Sequence, residues 1–284
     1  MKNLAKGAIW FGIYYGVQTV VSVLAAVVAI FVNQIPRPDT TDPVEIIAAF
    51  TEILMSVAVP TLIVSSVICI AVYFGYKFAI KEPLDIKAIQ WQKVIFFIDL
   101  GCVLNVTINM SLELVESLMP ESWITMHTES TGVVTTGQHW VWLLLCTGIL
   151  VPIMEEITFR YGMHGYMKKS NVVLAYIISS IAFGLIHGNP IQIGYATILG
   201  FFLAYVYTKS NNICYPMILH MCMNTMSLAA MLFDSALIYC LVIGGTGLLL
   251  VISSILLLPQ VKTIFKRPAI DATMKIASTG LFKI

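Results

Sequence analysis

The sequence predicts an all-α, polytopic transmembrane helix bundle of about eight spans, and three observations predict it. Of 284 residues, 58% are hydrophobic and only 11% charged, whereas a soluble domain carries about a quarter charged residues to coat a water-facing surface. Apolar runs long enough to cross a bilayer, ~20 residues as a helix, recur along almost the whole chain, and the mean hydropathy is +0.88. Positive charge then falls almost entirely on one side of the bundle those runs define, as the bias of lysine and arginine toward cytoplasmic loops requires.

Taken in order, the spans run over 7–32, 46–78, 92–118, 139–168, 171–187, 190–208, 212–233 and 235–258. The first follows Lys2 and Lys6 and is much longer than the ~7–15 apolar residues of a signal-peptide core, so it reads as a retained span. Polar or turn-forming punctuation separates the rest: Pro36 to Pro43, Lys81 to Pro83, Pro120 to Gly137, Asn171, Gly188 to Pro190, Ser210 to Asn212, and Asp234. With the N-terminus in the cytoplasm, every lysine and Arg267 lie on the cytoplasmic side; Arg37 alone lies outside, and Arg160 stays within a span. Both termini are therefore expected in the cytoplasm of a multi-pass protein of the cell membrane. Residues 1–138 hold three spans without a motif, 139–233 hold spans four to seven, and 234–284 hold a last span and a basic tail.

Other classes are excluded by composition. The net charge of +1, without a basic cluster interleaved with aromatics, gives no reason to expect nucleic acid as a partner. Six cysteines (Cys69, Cys102, Cys146, Cys214, Cys222 and Cys240) are scattered through apolar runs without ligand spacing, and read as small hydrophobes.

A charge within a span costs about 2.5–3.5 kcal/mol on insertion scales, so each one asks for a reason. The fourth span carries Glu155-Glu156-Ile-Thr-Phe-Arg160. Glu156 and Arg160 share a helix face at i,i+4, suited to an ion pair that locks helices. Glu155, about 100° round the helix, points elsewhere and is free to handle a water. Pro152, one turn earlier, removes a backbone hydrogen bond and is expected to kink the helix there. The fifth span ends Phe183-Gly-Leu-Ile-His187, and the seventh holds His220 and Asn224, again at i,i+4. At ~1.5 Å per residue, Glu155 lies roughly 20 Å from Lys168, His187 about 27 Å from Lys169, and His220 and Asn224 about 16 and 22 Å from Lys209. Those depths overlap once helices tilt, so the four side chains are expected to converge on one cavity. His164 reads as interfacial, and His127 and His139 as outer-loop residues. A polar stripe, Asn105, Asn109, Glu113 and Glu116, marks the third span as facing protein or water. Ala196, Gly200 and Ala204 mark the sixth as closely packed.

The ordered set EExxxR, FxxxH and HxxxN on successive apolar helices resembles the CAAX protease and bacteriocin-processing family, which includes type II CAAX prenyl endopeptidases and Abi or bacteriocin self-immunity proteins. The likeness covers about residues 141–226 and departs from many bacterial members in having Tyr161, with Gly162 one place later, directly after the arginine. The resemblance implies an intramembrane glutamic protease. Glu155 and His187 would activate a water, and His220 and Asn224 would stabilise an oxyanion. Glu156, Arg160 and Phe183 would support the site. It implies no cofactor or metal; there is no HExxH sequence, although Glu155, His187 and His220 could in principle bind zinc. The expected partners are the lipid bilayer and a peptide or membrane-anchored protein substrate. A binding-type immunity protein and a small transporter are the alternatives. A transporter would show matching halves with broken helices, whereas the polar residues here concentrate in the second half.

Overall fold

The computed structural model describes residues 2–32, 42–83, 88–135 and 139–232, with scattered residues from 244 to 262. Helices follow one another as α1 (Lys2–Val32), α2 (Pro43–Ala79), α3 (Trp91–Val115), α4 (Glu121–Thr135), α5 (Trp140–Met167), α6 (Val172–Leu185), α7 (Pro190–Ser210) and α8 (Cys214–Leu232). No strand occurs among the described residues. Five of the helices contain stretches long and apolar enough to cross a membrane: α1, Met55–Ala79 of α2, α3 with the 3₁₀ turn that extends it to Leu118, α5 and α7. The shorter α6 is apolar, and α8 is a continuous helix that carries His220 and Asn224 among its apolar residues. The chain is an all-α membrane bundle. The expected eighth span lies largely outside the described residues.

Local sequence sets the ends. Asp42 caps α2 by accepting from the Val44 amide at 2.9 Å, with Pro43 in the first turn. Asn171 caps α6 through the Leu174 amide at 3.0 Å. Between α6 and α7 the chain reverses through Gly188, whose φ of +77° lies in the left-handed region that glycine enters without steric cost. Asn189 then caps α7 through the Gln192 amide at 2.9 Å, and Pro190 fills the first helical position, where a missing N–H costs nothing.

Large apolar side chains cover much of the exterior, and the interior combines aromatic and aliphatic residues with small and polar ones. α1 exposes Val20, Val23, Leu24 and Phe31, and buries Gly7, Trp10 and Tyr14. The small-residue stripe of the sixth span is buried as expected: Ala196 and Ala204 are almost fully enclosed, and a Cβ on Gly200 would sit 3.0 Å from the Ser180 backbone of α6. α1 packs against α2 and α5, α3 against α8, and α6 against both α5 and α7. One element differs from expectation. The polar break after the third span contains α4, because polarity rules out a membrane span without ruling out a helix lying across the bundle end.

Gly184 tests the α6–α7 crossing. A Cβ there would fall on Thr197 Oγ1 and 2.8 Å from the Ile193 carbonyl oxygen, whereas Gly194 has open space. Gly184→Ala should therefore lower stability by about 1–3 kcal/mol, the usual cost of overpacking. Thermal unfolding in detergent should show the loss, with Gly194→Ala unchanged as the control.

Candidate active site

α5 carries the glutamates on a broken helix. An α-helical stretch, Val151–Glu155, is flanked by two π-helical ones, Leu144–Leu150 and Glu156–His164. Pro152 lacks an N–H, and in an unbroken α-helix its ring would collide with the carbonyl four residues earlier. Wider turns just ahead of it absorb that clash, and π-turns of this kind recur at functional sites. The kink expected at Pro152 is thus realised as a change in helical pitch.

Both glutamates reach the same imidazole. His220 Nδ1 donates to Glu156 Oε1 at 3.0 Å, while His220 Nε2 stands 3.7 Å from Glu155 Oε2, beyond direct hydrogen-bond reach. Glu156 also faces Arg160, Oε2 to Nε at 3.1 Å, at the expected i,i+4 spacing. Arg160 is 1% exposed, and its guanidinium nitrogens find no well-aligned hydrogen-bond acceptor among the described residues, the Nε approach to Glu156 being an off-angle charge contact. The face of Phe183 supplies the remainder: Arg160 Cζ sits 4.2 Å above the ring centroid, close enough for a cation–π attraction. Phe183 also meets the rings of Phe159, His187 and His220 at 5.4, 5.2 and 5.6 Å. That is the physical content of the phenylalanine in FxxxH.

His187 has a defined tautomer. Its Nδ1 lies 2.9 Å from the Phe183 carbonyl oxygen; a carbonyl only accepts, so Nδ1 carries a proton, and in the neutral ring Nε2 is then the acceptor. Asn224 donates one amide N–H to the Thr147 carbonyl at 3.0 Å, within the first π-helical stretch, and its second N–H is left for the cavity.

Glu155, His187, His220 and Asn224 all line one cavity of about 670 Å³. Its lining extends from Glu155 of α5 and Tyr14 of α1 to His127, Ser130 and Thr131 of α4 and Gln192 of α7. Glu155 is within electrostatic range of His220, His187, Glu156 and Arg160. Tyr14 was not anticipated. Its signal was faint, a tyrosine with Gln18 at i,i+4 in an otherwise apolar helix; Gln18 in turn accepts from Ser65 of α2 at 2.8 Å. His127, read as a loop residue, lines the wall because α4 brings it there. His164, read as interfacial, is instead fully buried and meets Thr208 Oγ1 at 2.8 Å. On α3, Asn105 donates to the Met223 carbonyl at 3.0 Å and to Ser227 Oγ at 2.6 Å, tying α3 to α8. Glu113 and Glu116 border a second hollow that shares Asn109 and His127 with the first. Among the described residues no cluster of three His, Cys, Asp or Glu side chains is disposed to hold a metal ion.

Residues 137–226 match the family model described as type II CAAX prenyl endopeptidase Rce1-like. The chain is 34% identical over 84 residues to a Bacillus subtilis (strain 168) protein named "Putative membrane peptidase YdiL", a match covering 29% of this chain and 34% of that one. It is 31% identical over 169 residues to the UPF0177 protein YxdF of Lactococcus lactis subsp. lactis (strain IL1403), covering 58% of this chain and 89% of the relative. The chain belongs to the CAAX protease and bacteriocin-processing family. It spans about a third of the length of the Bacillus relative. No solved structure matches it. This chain's departure from the family pattern at Tyr161 has a local use. Tyr161 packs on Trp10 and Tyr73, with ring centroids 5.5 and 4.9 Å away, and Trp10 sits where a side chain at Gly162 would be.

Arg160→Ala would leave Glu156 as a buried carboxylate without its cation and should cost about 3–5 kcal/mol. Phe183→Ala should cost a similar amount through the cavity it opens. The double change Glu156→Gln with Arg160→Met should recover much of the loss, because it removes both charges together. Unfolding midpoints in detergent, with yields of membrane-inserted protein, read all three. A stable, high-yield Arg160→Ala protein would refute the ion-pair account.

Proposed function

We propose that the protein is an intramembrane endopeptidase that hydrolyses a peptide bond of a membrane-associated or peptide-precursor substrate without a metal. The supporting observation is that four side chains, Glu155 of α5, His187 of the α6–α7 turn, and His220 and Asn224 of α8, line one cavity. The family match and the Bacillus relative's name point the same way.

In this reading a water sits between Glu155 and His187 Nε2. Glu155 takes one of its protons as the oxygen attacks the scissile carbonyl carbon. A positioned base must reach its proton directly or through one water, and such catalysis contributes ~10²–10⁴-fold. The carbonyl oxygen becomes an oxyanion facing Asn224 and His220. In its protonated form the His220 ring donates from both nitrogens, one to Glu156 and one into the cavity, and preorganised donors of this kind favour the transition state over the ground state. Collapse breaks the C–N bond, and the proton held by Glu155 passes to the departing amine. Phe183, Glu156 and Arg160 position the two histidines. The N-terminus lies on the cytoplasmic side of the membrane.

Glu155→Gln keeps size and most hydrogen bonding while removing the base. The variant should accumulate normally and still bind substrate, yet lose at least ~10²–10⁴-fold in kcat. His187→Ala should be comparably damaging, and Asn224→Ala should lose about 10²–10³-fold as one of two oxyanion donors. Purified protein should work equally well with a strong chelator; loss with chelator and return with zinc would replace this mechanism with a metal-dependent one. A Glu155→Gln protein that retains the full biological effect of the wild type would favour a binding-type immunity protein instead.

A further inference from the structure

The two ends of the bundle differ in chemistry, and the cavity reaches only one of them. At the first end five lysines lie over tyrosine rings. Lys6 and Lys169 flank Tyr166 at 5.3 and 4.9 Å, Lys77 covers Tyr161 at 4.6 Å, Lys168 covers Tyr207 at 4.4 Å and Lys209 covers Tyr205 at 5.6 Å. The tyrosine hydroxyls bind one another there, Tyr76 to Tyr166 at 2.8 Å and Tyr161 to Tyr166 at 3.3 Å. This end carries a lysine–tyrosine layer of the kind found at a membrane interface; Lys169 is exposed, Lys6, Lys168 and Lys209 are half-buried, and Lys77 is buried and paired with Glu82 at 3.5 Å.

At the opposite end, formed by the C-terminal part of α3, by α4, and by the α6–α7 turn, no lysine or arginine occurs among the described residues. The cavity runs from Glu155 and His220 toward this end. Its outer wall there is His127, Ser130, Thr131 and Gln192, and none of its lining comes from the lysine end. Asn189 of the α6–α7 turn donates to Ser130 of α4 at 2.9 Å, joining the two parts of the rim. Lysine and arginine concentrate on cytoplasmic loops, so the closed end is cytoplasmic.

We infer that the site opens to the extracytoplasmic side and takes an extended peptide segment presented there, not a chain end in the cytoplasm. This rests on the peptidase reading above and names its substrate class. The rim side chains are neutral and offer both donors and acceptors, as an extended backbone requires. A volume near 670 Å³ suits a short segment and excludes a folded domain.

Two measurements test the inference separately from the peptidase reading. In full-length protein with its native cysteines replaced, Glu129→Cys stands at the open end and Ser170→Cys at the closed end, both exposed. A membrane-impermeant maleimide applied to intact spheroplasts should label Glu129→Cys, and should label Ser170→Cys only after permeabilisation. The reverse pattern, or labelling of Ser170→Cys in intact cells, overturns the inference. A lipid-anchored, internally quenched peptide added to right-side-out vesicles should then be cut at least tenfold faster than by inside-out vesicles, with Glu155→Gln vesicles as the blank. Faster cutting by inside-out vesicles refutes extracytoplasmic entry and leaves the peptidase standing. Labelling as expected, with no cutting of any peptide in a varied set, refutes the peptidase and leaves the orientation.

Discussion

A guanidinium buried where neither water nor lipid can solvate it has to be held by the protein, and much of the core is arranged around that need. Arg160 has one carboxylate, Glu156, and one aromatic face, Phe183. Glu156 has a second obligation, to His220 on α8, and Phe183 supports both histidine rings. One buried charge thus links α5, α6 and α8, the helices that carry or immediately precede Glu155, His187, His220 and Asn224. A lysine would not substitute, because a compact ammonium offers no flat surface to stack on the ring.

The backbone of α5 matters as much as its side chains. In a regular α-helix two consecutive residues point about 100° apart, yet Glu155 and Glu156 both approach the His220 ring. The transition from α to π winding between them changes the angular step at that point. The earlier π-helical stretch also presents the Thr147 carbonyl to Asn224. Departures from regular winding therefore serve the site twice, by aiming the carboxylates and by orienting an amide.

Much of this could be read from the sequence, and the reasons for the remainder are specific. Charges inside apolar runs are rare enough that Glu155, Glu156 and Arg160 identify themselves, and helical rise alone places His187, His220 and Asn224 at overlapping depth. The Glu156–Arg160 pair is local, so spacing reveals it. The His220–Glu156 bond is not local; it depends on how α8 sits beside α5, which no spacing encodes. Tyr14 escaped notice because one hydroxyl on an aromatic ring barely alters the hydropathy of α1. His127 and His164 lie where the sequence put them along the chain, but each has a setting that spacing does not show. One lies in a polar segment that forms a helix over the cavity, and the other lies near lysines that extend toward water while its own ring stays enclosed.

Trp10 rests directly against Gly162, with Tyr161 and Tyr73 around it, and the same helix puts Tyr14 on the cavity wall. α1 precedes α5 in the chain, so its seat on α5 is synthesised later than α1 itself. Tyr73 and Tyr76 of α2 can cover one side of Trp10 early, while the side that rests on Gly162 and Tyr161 stays uncovered until α5 arrives. The wall of the cavity next to Glu155 is closed only by that late docking, so the nascent chain has no assembled site while its first helices alone are in the membrane.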